Sequence, residues 1–397
     1  RGCAALVTAR ACTLAALALP VPAMAAERCG GFERLTASSP PGTCVAVLAD
    51  RRDGLRMPRR VIEIAPGRWW ITDMGNWEPR RGRLLELRID PATGSRRVEV
   101  LAEQLDRPHG LVRGPDGKVY VGEAGSVWRT DPTEAGLKRE PVLSGLPADG
   151  AHPLKELAFA PTVTQGVMTL YVNVGSASDA CRDDQQRQAL PCPERSGALP
   201  RAAVYRAELP LAGGAPRQFG PHALGLRNSM ALAVDARGTL WQGENSIDYP
   251  DEKLPPETLN RLRAGSDHGW PYCIAPRQPA RGYEGRARCR DHEPPALLLP
   301  AHAAPLGLVQ APVQAVGGLA GRLVMSWHGH RAAGRRIVSI GLDGQGRAVG
   351  PPRPLVWDWQ QGDGGGAPVG VAFDAQGRLL FAEDRHRRVL MLMADGR

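Results

Sequence analysis

The feature that most constrains the fold of this chain is a unit that recurs six times along it. Each copy has an apolar strand, a turn that contains Gly or Asp-x-x-Gly, a second apolar strand and then a strand rich in Val and Arg. Such turns are typical of β-hairpins, because Asp caps the turn and Gly accepts positive φ. The copies fall at 61–89, 108–131, 154–209, 228–263, 322–342 and 368–393. Six copies of this kind predict an all-β fold, a six-bladed β-propeller.

The composition agrees with short strands joined by turns. Of the 397 residues, 47 are Gly and 36 are Pro, and long stretches with a helical spacing of apolar residues are absent. Short apolar runs between Gly and Pro favour strands over helices. We expect the additional length of the chain to form loops at 132–151, 177–200 and 246–295. Long ordered loops on one face of a rigid scaffold often carry function.

The N-terminal residues have the pattern of a secretory signal. Residues 4–22 are mostly Ala, Leu and Val, and Ala23-Met24-Ala25 gives a small-x-small cleavage site. This apolar run is too short and too interrupted to cross a bilayer, so we expect no membrane span. We therefore expect an exported protein, either periplasmic or secreted. The predicted domains are a signal peptide whose start is truncated (1–26), a disulfide-stapled segment (27–56) and the propeller (57–397).

Six cysteines follow the predicted signal, and an even number suits an oxidising compartment. Their grouping along the chain favours three local bridges, although six cysteines allow many other pairings. A CxxC motif is absent, so neither a zinc ribbon nor a c-type haem is indicated. The favoured pairs are Cys29 with Cys44, Cys181 with Cys192 and Cys273 with Cys289.

The net charge of +9 comes almost entirely from arginine, since the chain has only four lysines. A nucleic-acid-binding protein usually clusters its positive charge, whereas these arginines are scattered. We therefore expect no nucleic-acid partner. The chain also has no phosphate-binding loop and no nucleophile elbow.

Two segments combine groups that suit a polar, carbonyl-rich cofactor. Residues 225–228 read Gly-Leu-Arg-Asn directly before a strand, and an acidic loop and a Gly-Trp-Pro turn follow. Arginine gives directed donors, while acidic side chains give oxygen ligands for a hard cation.

His152 opens the third repeat, where a strand start faces the propeller channel. An imidazole there would take a proton from an alcohol as hydride leaves the same carbon.

These residues resemble a known family. The Gly-Leu-Arg-Asn at 225–228, the Pro-His-Gly-Leu at 108–111, and His152 with Lys155 and Val-Gly-Ser at 174–176 are similar to the glucose/sorbosone dehydrogenases that depend on pyrroloquinoline quinone (PQQ). The soluble aldose sugar dehydrogenases are six-bladed propellers of this kind. The resemblance implies PQQ- and Ca²⁺-dependent oxidation of an aldose, or of a related polyol or aldehyde. It also implies a small sugar substrate and a separate electron acceptor.

The resemblance also assigns roles to residues. His152 would be the general base, and hydride would pass to PQQ, with Arg227 as the second catalytic residue. His109 would contact the substrate. The implied cofactor contacts are His152, Lys155, Arg227, Asn228, His328, Arg336, Asp384 and Arg385. The implied calcium ligands are Glu244, Asp248, Asp251 and Glu257.

Some positions depart from the family. Ala367 stands where an arginine would contact a PQQ carboxylate, Lys155 replaces another arginine, and Ser176 stands where more distant members have an aspartate that orients the base. Two alternatives therefore stay open: a non-catalytic propeller that binds carbohydrate or protein, and a calcium-dependent lactonase. The dehydrogenase hypothesis requires His152, Arg227 and Asn228 to converge at one mouth of the channel.

Overall fold

A computed structural model describes residues 27–90, 92–183, 185–359 and 365–396. The predicted signal peptide, at 1–26, lies outside the described residues. Within the described ranges the structure has β-strands and short 3₁₀ turns but no α-helix. The 3₁₀ turns are Arg51–Asp53, Pro193–Arg195, Cys289–Asp291 and Val316–Gly318. No helix in these ranges is long and apolar enough to cross a membrane.

The strands form six blades around one axis. An N-terminal hairpin comes first, with β1 (Arg28–Cys29), β2 (Phe32–Arg34) and β3 (Thr43–Ala49). Blade one has β4 (Pro58–Ala65), β5 (Arg68–Asp73), β6 (Gly82–Ile89) and β7 (Arg96–Leu105). Blade two has β8 (Leu111–Arg113), β9 (Val119–Glu123), β10 (Ser126–Thr130) and β11 (Glu140–Ser144). Blade three has β12 (Leu157–Phe159), β13 (Val167–Val174), β14 (Ala203–Pro210) and β15 (Gln218–Leu224).

The remaining blades follow in chain order. Blade four has β16 (Ala231–Val234), β17 (Leu240–Glu244), β18 (Glu257–Leu262) and the outer β22 (Leu297–Leu299). Between β18 and β22, the short β19 (Ser266–Asp267) pairs with β15 of blade three, and β20 (Cys273–Ile274) pairs with β21 (Gln278–Pro279). Blade five has β23 (Pro305–Gln310), β24 (Leu323–Trp327), β25 (Arg336–Leu342) and β26 (Ala348–Val356). Blade six has β27 (Pro368–Phe373), β28 (Leu379–Glu383) and β29 (Arg388–Ala394). The predicted six-bladed propeller is confirmed.

The N-terminal hairpin completes blade six. Strand β3 pairs antiparallel with β29, from Thr43 opposite Ala394 to Ala49 opposite Val389. The blade therefore contains both ends of the described chain, and its strand order is β1-β2-β3-β29-β28-β27. This pairing closes the ring without a free edge between the first and last repeats.

The innermost strands of neighbouring blades contact one another around the axis. Two glycines show how close these strands lie. A Cβ at Gly307 would stand 2.3 Å from the carbonyl oxygen of Val369, and one at Gly370 would stand 2.5 Å from that of Arg59. Five of the blades contribute to one apolar cluster that packs near the axis, made of Met74, Leu154, Met230, Leu306 and Val369.

Blade geometry places the candidate residues on one face. In an antiparallel four-stranded blade, the start of the first strand and the loop between the second and third strands lie at the same end. We call this face the mouth. Three long segments there, 175–202, 245–256 and 264–296, form a structure that we call the cap. Its buried core includes Cys181, Ile247, Tyr249, Trp270 and Tyr283.

The three predicted disulfide pairs are confirmed: Cys29–Cys44, Cys181–Cys192 and Cys273–Cys289. The first joins β1 to β3 within the N-terminal hairpin. The other two lie within the cap, one in each of its two longest segments.

Candidate active site

His152 lies at the mouth, in the loop that leads into β12. Its Nδ1 is 2.9 Å from both the carbonyl oxygen and the Oγ of Ser176. Because the Ser176 hydroxyl donates to the Ser178 carbonyl, both Ser176 oxygens are available as acceptors. Nδ1 therefore carries the proton, and Nε2 is left with a free lone pair. Burial, together with the charge of Arg227, lowers the pKa of His152 to about 4, so the imidazole is neutral at physiological pH.

Arg227 and Asn228 lie directly beside this histidine. The Ser176 amide donates to the Arg227 carbonyl, which joins the two segments. A Cβ at Gly175 would stand 2.5 Å from His152 Cβ and 3.5 Å from Asn228 Oδ1, so a residue without a side chain allows the two to approach. His152, Arg227 and Asn228 thus converge at one mouth of the channel, as the dehydrogenase hypothesis requires.

The polar groups of Arg227 and Asn228 differ in how fully they are used. The Arg227 guanidinium lies 2.9 Å from Asp179 and 3.0 Å from Asp248, and it also donates to the Asn245 carbonyl at 3.1 Å. Asn228 Oδ1 is buried and has no hydrogen-bond partner among the described residues. A buried acceptor without a partner is costly, so this oxygen suits an N–H or O–H group of a ligand.

A second group of polar residues crosses the channel between blades. Arg59 donates from Nε to His109 Nδ1 at 3.2 Å, and its guanidinium also pairs with Asp384. His328 Nε2 lies 3.0 Å from the other oxygen of Asp384. His109 Nε2 lies 3.0 Å from Glu156 Oε2. The predicted site residues His109, His328 and Asp384 therefore belong to one network, which Arg59 holds together.

The network extends to Arg60, which pairs with Glu156 through both Nε and Nη2. Burial raises the pKa of Glu156, but Arg60 and His109 outweigh it and bring the pKa below its ordinary value. Burial lowers the pKa of His109 to about 4. The two buried arginines are thus matched by two carboxylates, and His109 between them is neutral.

The predicted cofactor contacts outside these groups have different surroundings. Lys155 is fully buried, and its Nζ donates to the carbonyls of Pro147 and Pro153. This position gives no support to the predicted cofactor contact, because Nζ holds both ends of the loop that carries His152, and burial lowers the pKa of Lys155 to about 7. Arg336 donates to the carbonyls of Gly334 and Ala332.

Arg385 is exposed at the mouth and donates to the Gly365 carbonyl at 3.3 Å. Neither Arg336 nor Arg385 has a carboxylate partner among the described residues.

The four predicted calcium ligands divide into two pairs. Glu244 and Glu257 are buried; burial raises the pKa of Glu244 to about 7 and that of Glu257 to about 8, and the charge of Glu244 adds to the second shift. Asp248 instead contacts Arg227, and Asp251 caps a turn by accepting from the Lys253 amide.

These four acidic residues do not form a preformed cage. Within the described ranges, one group of three ligand-type side chains has donor atoms within 4.8 Å of one another: Cys181, Cys192 and Glu194. Its two cysteines are joined as a disulfide, which removes them as metal ligands. Glu244 and Glu257 already accept hydrogen bonds from backbone and side-chain amides, so calcium binding by the predicted set stays a prediction.

Sequence reasoning missed Arg59, Glu156 and Asp179. Arg59 begins the inner strand of blade one, the same place in its blade that His109 holds in blade two. This equivalence was the available signal, since His109 had been predicted to face the channel from the same place in the neighbouring blade. Asp179 lies in a polar loop and carried no sequence signal.

Solved structures with a similar fold include sugar dehydrogenases. The PQQ domain of pyranose dehydrogenase from Coprinopsis cinerea, in its holo form, is 21% identical, covers 92% of this chain and 99% of its own, and has a TM-score of 0.71. An enzyme of carbohydrate-active family AA12 from Trichoderma reesei is 20% identical over 92% of this chain and 99% of its own, with a TM-score of 0.70.

The PQQ-bound aldose sugar dehydrogenase from Streptomyces coelicolor is 20% identical over 89% of this chain and 99% of its own, with a TM-score of 0.57. No family profile matches the chain, and no curated protein sequence matches it. At this level of identity the likeness concerns the fold, and the conclusion is that the chain has the six-bladed propeller fold of the PQQ-dependent sugar dehydrogenases.

Proposed function

We propose that this protein oxidises an aldose, or a related polyol or aldehyde, with PQQ as hydride acceptor and Ca²⁺ as a second cofactor. The observation that carries the proposal is the setting of His152. Ser176 holds its Nδ1–H, its Nε2 is free, and Arg227 and Asn228 lie beside it at the mouth. The similarity to propellers described as PQQ-bound or holo supports the choice of cofactor.

The proposed chemistry uses these side chains in distinct roles. His152 would accept the proton of a sugar hydroxyl at Nε2, which its low pKa keeps unprotonated at neutral pH. Bound PQQ would supply an electrophilic quinone as the acceptor for the hydride released from the same carbon. Arg227 would stabilise the negative charge that develops on the acceptor. Asn228 Oδ1 would accept a hydrogen bond from the bound cofactor or sugar.

The carboxylates of PQQ need cationic partners. Arg336 and Arg385 have no carboxylate partner among the described residues, so we assign them to this role. Arg59 would remain with Asp384 and His109 and shape the wall of the site, with His328 available to sugar hydroxyls. His109 is fully buried and both its ring nitrogens have protein partners, so the structure gives its predicted substrate contact no support. Ala367 removes one charge-assisted contact, worth about 1.5–3 kcal/mol.

For Ca²⁺ the favoured ligands are Glu244 and Glu257. Two neighbouring buried carboxylates repel each other, and a hard cation with oxygen ligands would relieve this repulsion. Such a cation would polarise the quinone as a Lewis acid. Asp248 and Asp251 would join the set only after leaving their present partners.

The first test is a titration of the purified, chelator-treated protein with PQQ, followed by absorbance with and without Ca²⁺. We expect a saturable, calcium-dependent spectral change that is lost in Arg227→Ala. Arg347→Ala is the matched control, because Arg347 pairs with Asp343 in an exposed turn of blade five. Absence of binding at high micromolar PQQ would reject the cofactor assignment and favour a propeller that only binds carbohydrate or protein.

The second test measures turnover on a panel of sugars with an artificial electron acceptor. His152→Ala, measured at saturating PQQ, should lose about 10²–10⁴-fold in kcat, the usual contribution of a general base. Calcium-dependent lactone hydrolysis without PQQ would instead support the lactonase alternative.

The proposal also covers the compartment in which the protein acts and the acceptor of its electrons. Three disulfides suit an oxidising compartment, which agrees with an exported protein, periplasmic or secreted. The electrons would pass to a separate acceptor.

A further inference from the structure

Arg227 is held by two carboxylates that come from different segments of the cap. Its Nη2 lies 2.9 Å from Asp179 Oδ1 and 3.0 Å from Asp248 Oδ2, while its side chain is only 6% exposed. The two carboxylates therefore act on the guanidinium from nearly equal distances. The proposed chemistry needs this cation, yet it explains neither carboxylate.

Asp179 is fixed in place by several bonds. Its Oδ1 also accepts from the Asp248 amide at 2.9 Å, and its carbonyl accepts from Trp270 Nε1 at 2.9 Å and from Arg227 Nε at 3.3 Å. The chain then enters the buried core of the cap at Cys181, which is bonded to Cys192. Asp179 thus joins all three segments of the cap to one side of the guanidinium.

Asp248 has a looser attachment. Its side chain is 77% exposed, against 38% for that of Asp179. Among the described residues, Arg227 is the partner that its carboxylate contacts. Water can solvate this exposed carboxylate once it leaves Arg227, and an incoming anion would replace it beside the buried guanidinium. The Asp248 carboxylate therefore occupies a position that an incoming anion could take over.

We infer that Asp179 is the positioning residue of Arg227, whereas the Asp248 carboxylate is a built-in competitor that an anionic ligand displaces. The inference deepens the proposed function and rests on it, since PQQ with its carboxylates and quinone oxygens is the anionic ligand. Two carboxylates against one guanidinium leave an excess negative charge beside the site. Removing the charge of Asp248 relieves this excess without disturbing the contacts between Asp179 and Arg227.

The two aspartates should therefore have opposite effects on PQQ affinity. With Ca²⁺ held constant, Asp248→Asn should bind PQQ about fivefold more tightly, since one competing charge-assisted contact is lost. Asp179→Ala should bind it about tenfold more weakly, because the guanidinium loses its fixed acceptor. Asp179→Asn keeps an acceptor oxygen and should restore most of the loss. If the two aspartates acted only through their charge, Asp248→Asn and Asp179→Ala would change the affinity for PQQ in the same direction.

Absorbance titrations of these variants measure the dissociation constants, and thermal unfolding shows that each is folded. Glu252→Gln is the matched control: it removes a charge from the same loop, where Glu252 contacts Arg331 at 3.2 Å. The gain in Asp248→Asn should shrink as ionic strength rises. Weaker binding in Asp248→Asn would overturn the competitor role and favour Asp248 as a calcium ligand. Tighter binding in Asp179→Ala would overturn the positioning role.

A second measurement separates this inference from the proposed function. Phenylglyoxal modifies arginine side chains, and peptide mass spectrometry gives the rate at Arg227 in the protein without PQQ. We expect slow labelling of Arg227 in the wild type, faster labelling in Asp248→Asn and the fastest in Asp179→Ala. Equal rates in the three proteins would overturn the inference that the two aspartates hold Arg227. If neither the wild type nor Asp248→Asn binds PQQ, the proposed function and the competitor role both fall, and labelling alone decides the positioning role.

Discussion

At the scale of single residues, the site depends on one charge acting on one base. Arg227 disfavours the imidazolium form of His152 and is, after burial, the largest cause of its low pKa. Replacing Arg227 by Gln should therefore raise this pKa from about 4 towards the ordinary value of 6.5, although burial keeps part of the shift. The neutral base would then be lost at a higher pH as the solution is acidified.

NMR titration of the histidine side chains in the protein without ligands measures this effect directly. His109 is the internal control, since burial and the nearer Arg59 set its pKa and Arg227 is not among the causes. An unchanged titration of His152 would show that Arg227 does not tune the base.

The sequence was informative about these residues to different degrees. His152, Arg227 and Asn228 were predicted to converge, because each stands at the start of an inner strand where the fold brings such residues together. Asp179 could not be predicted, since its role depends on three cap segments folding onto one another. Lys155 was expected to carry a full charge, but burial lowers its pKa to about 7, and its Nζ donates to two backbone carbonyls.

At the scale of elements, the repeats predicted the blades but not their closure. Hairpin turns and apolar strands are local signals, so six copies could be counted along the sequence. The pairing of β3 with β29 joins residues more than three hundred positions apart, and no local pattern encodes it. The inner strand of blade five, at Pro305–Gln310, was also missed, because the predicted copy began only at Arg322.

This closure gives a prediction about two disulfides of similar loop length. Cys29–Cys44 spans 15 residues and fixes the hairpin that completes blade six, whereas Cys181–Cys192 spans 11 residues within the cap. Replacing Cys29 and Cys44 by Ser should cost about 3 kcal/mol of global stability and lower the urea midpoint. The same change at Cys181 and Cys192 should mainly speed hydrogen exchange in 175–202 and weaken PQQ binding. Equal urea midpoints and equal exchange in the two variants would contradict this division.

At the scale of the whole molecule, buried charge links the blades. Arg59 and Arg60 of blade one reach His109 of blade two, Glu156 of blade three and Asp384 of blade six. These contacts cross the axis, so protonation there affects the packing of four blades together. Within a buried network every member must keep its partner, because an unpaired buried charge is costly.

The protonation of His109 therefore predicts how stability depends on pH. Its folded pKa of about 4 lies below the ordinary 6.5, so its contribution is fully present above pH 6.5 and is lost as the pH falls towards 4. A shift of this size corresponds to about 3 kcal/mol.

His109→Asn keeps an acceptor for Arg59 but does not titrate, so urea unfolding of this variant should show a shallower loss of stability between pH 6.5 and 4. His330→Asn, which replaces an exposed histidine at the mouth, should keep the wild-type slope. Because the pKa of Glu156 is lowered by Arg60 and His109, a further loss below pH 4 should remain in every variant that keeps Glu156. An identical slope in His109→Asn and the wild type would place the acid sensitivity outside this network.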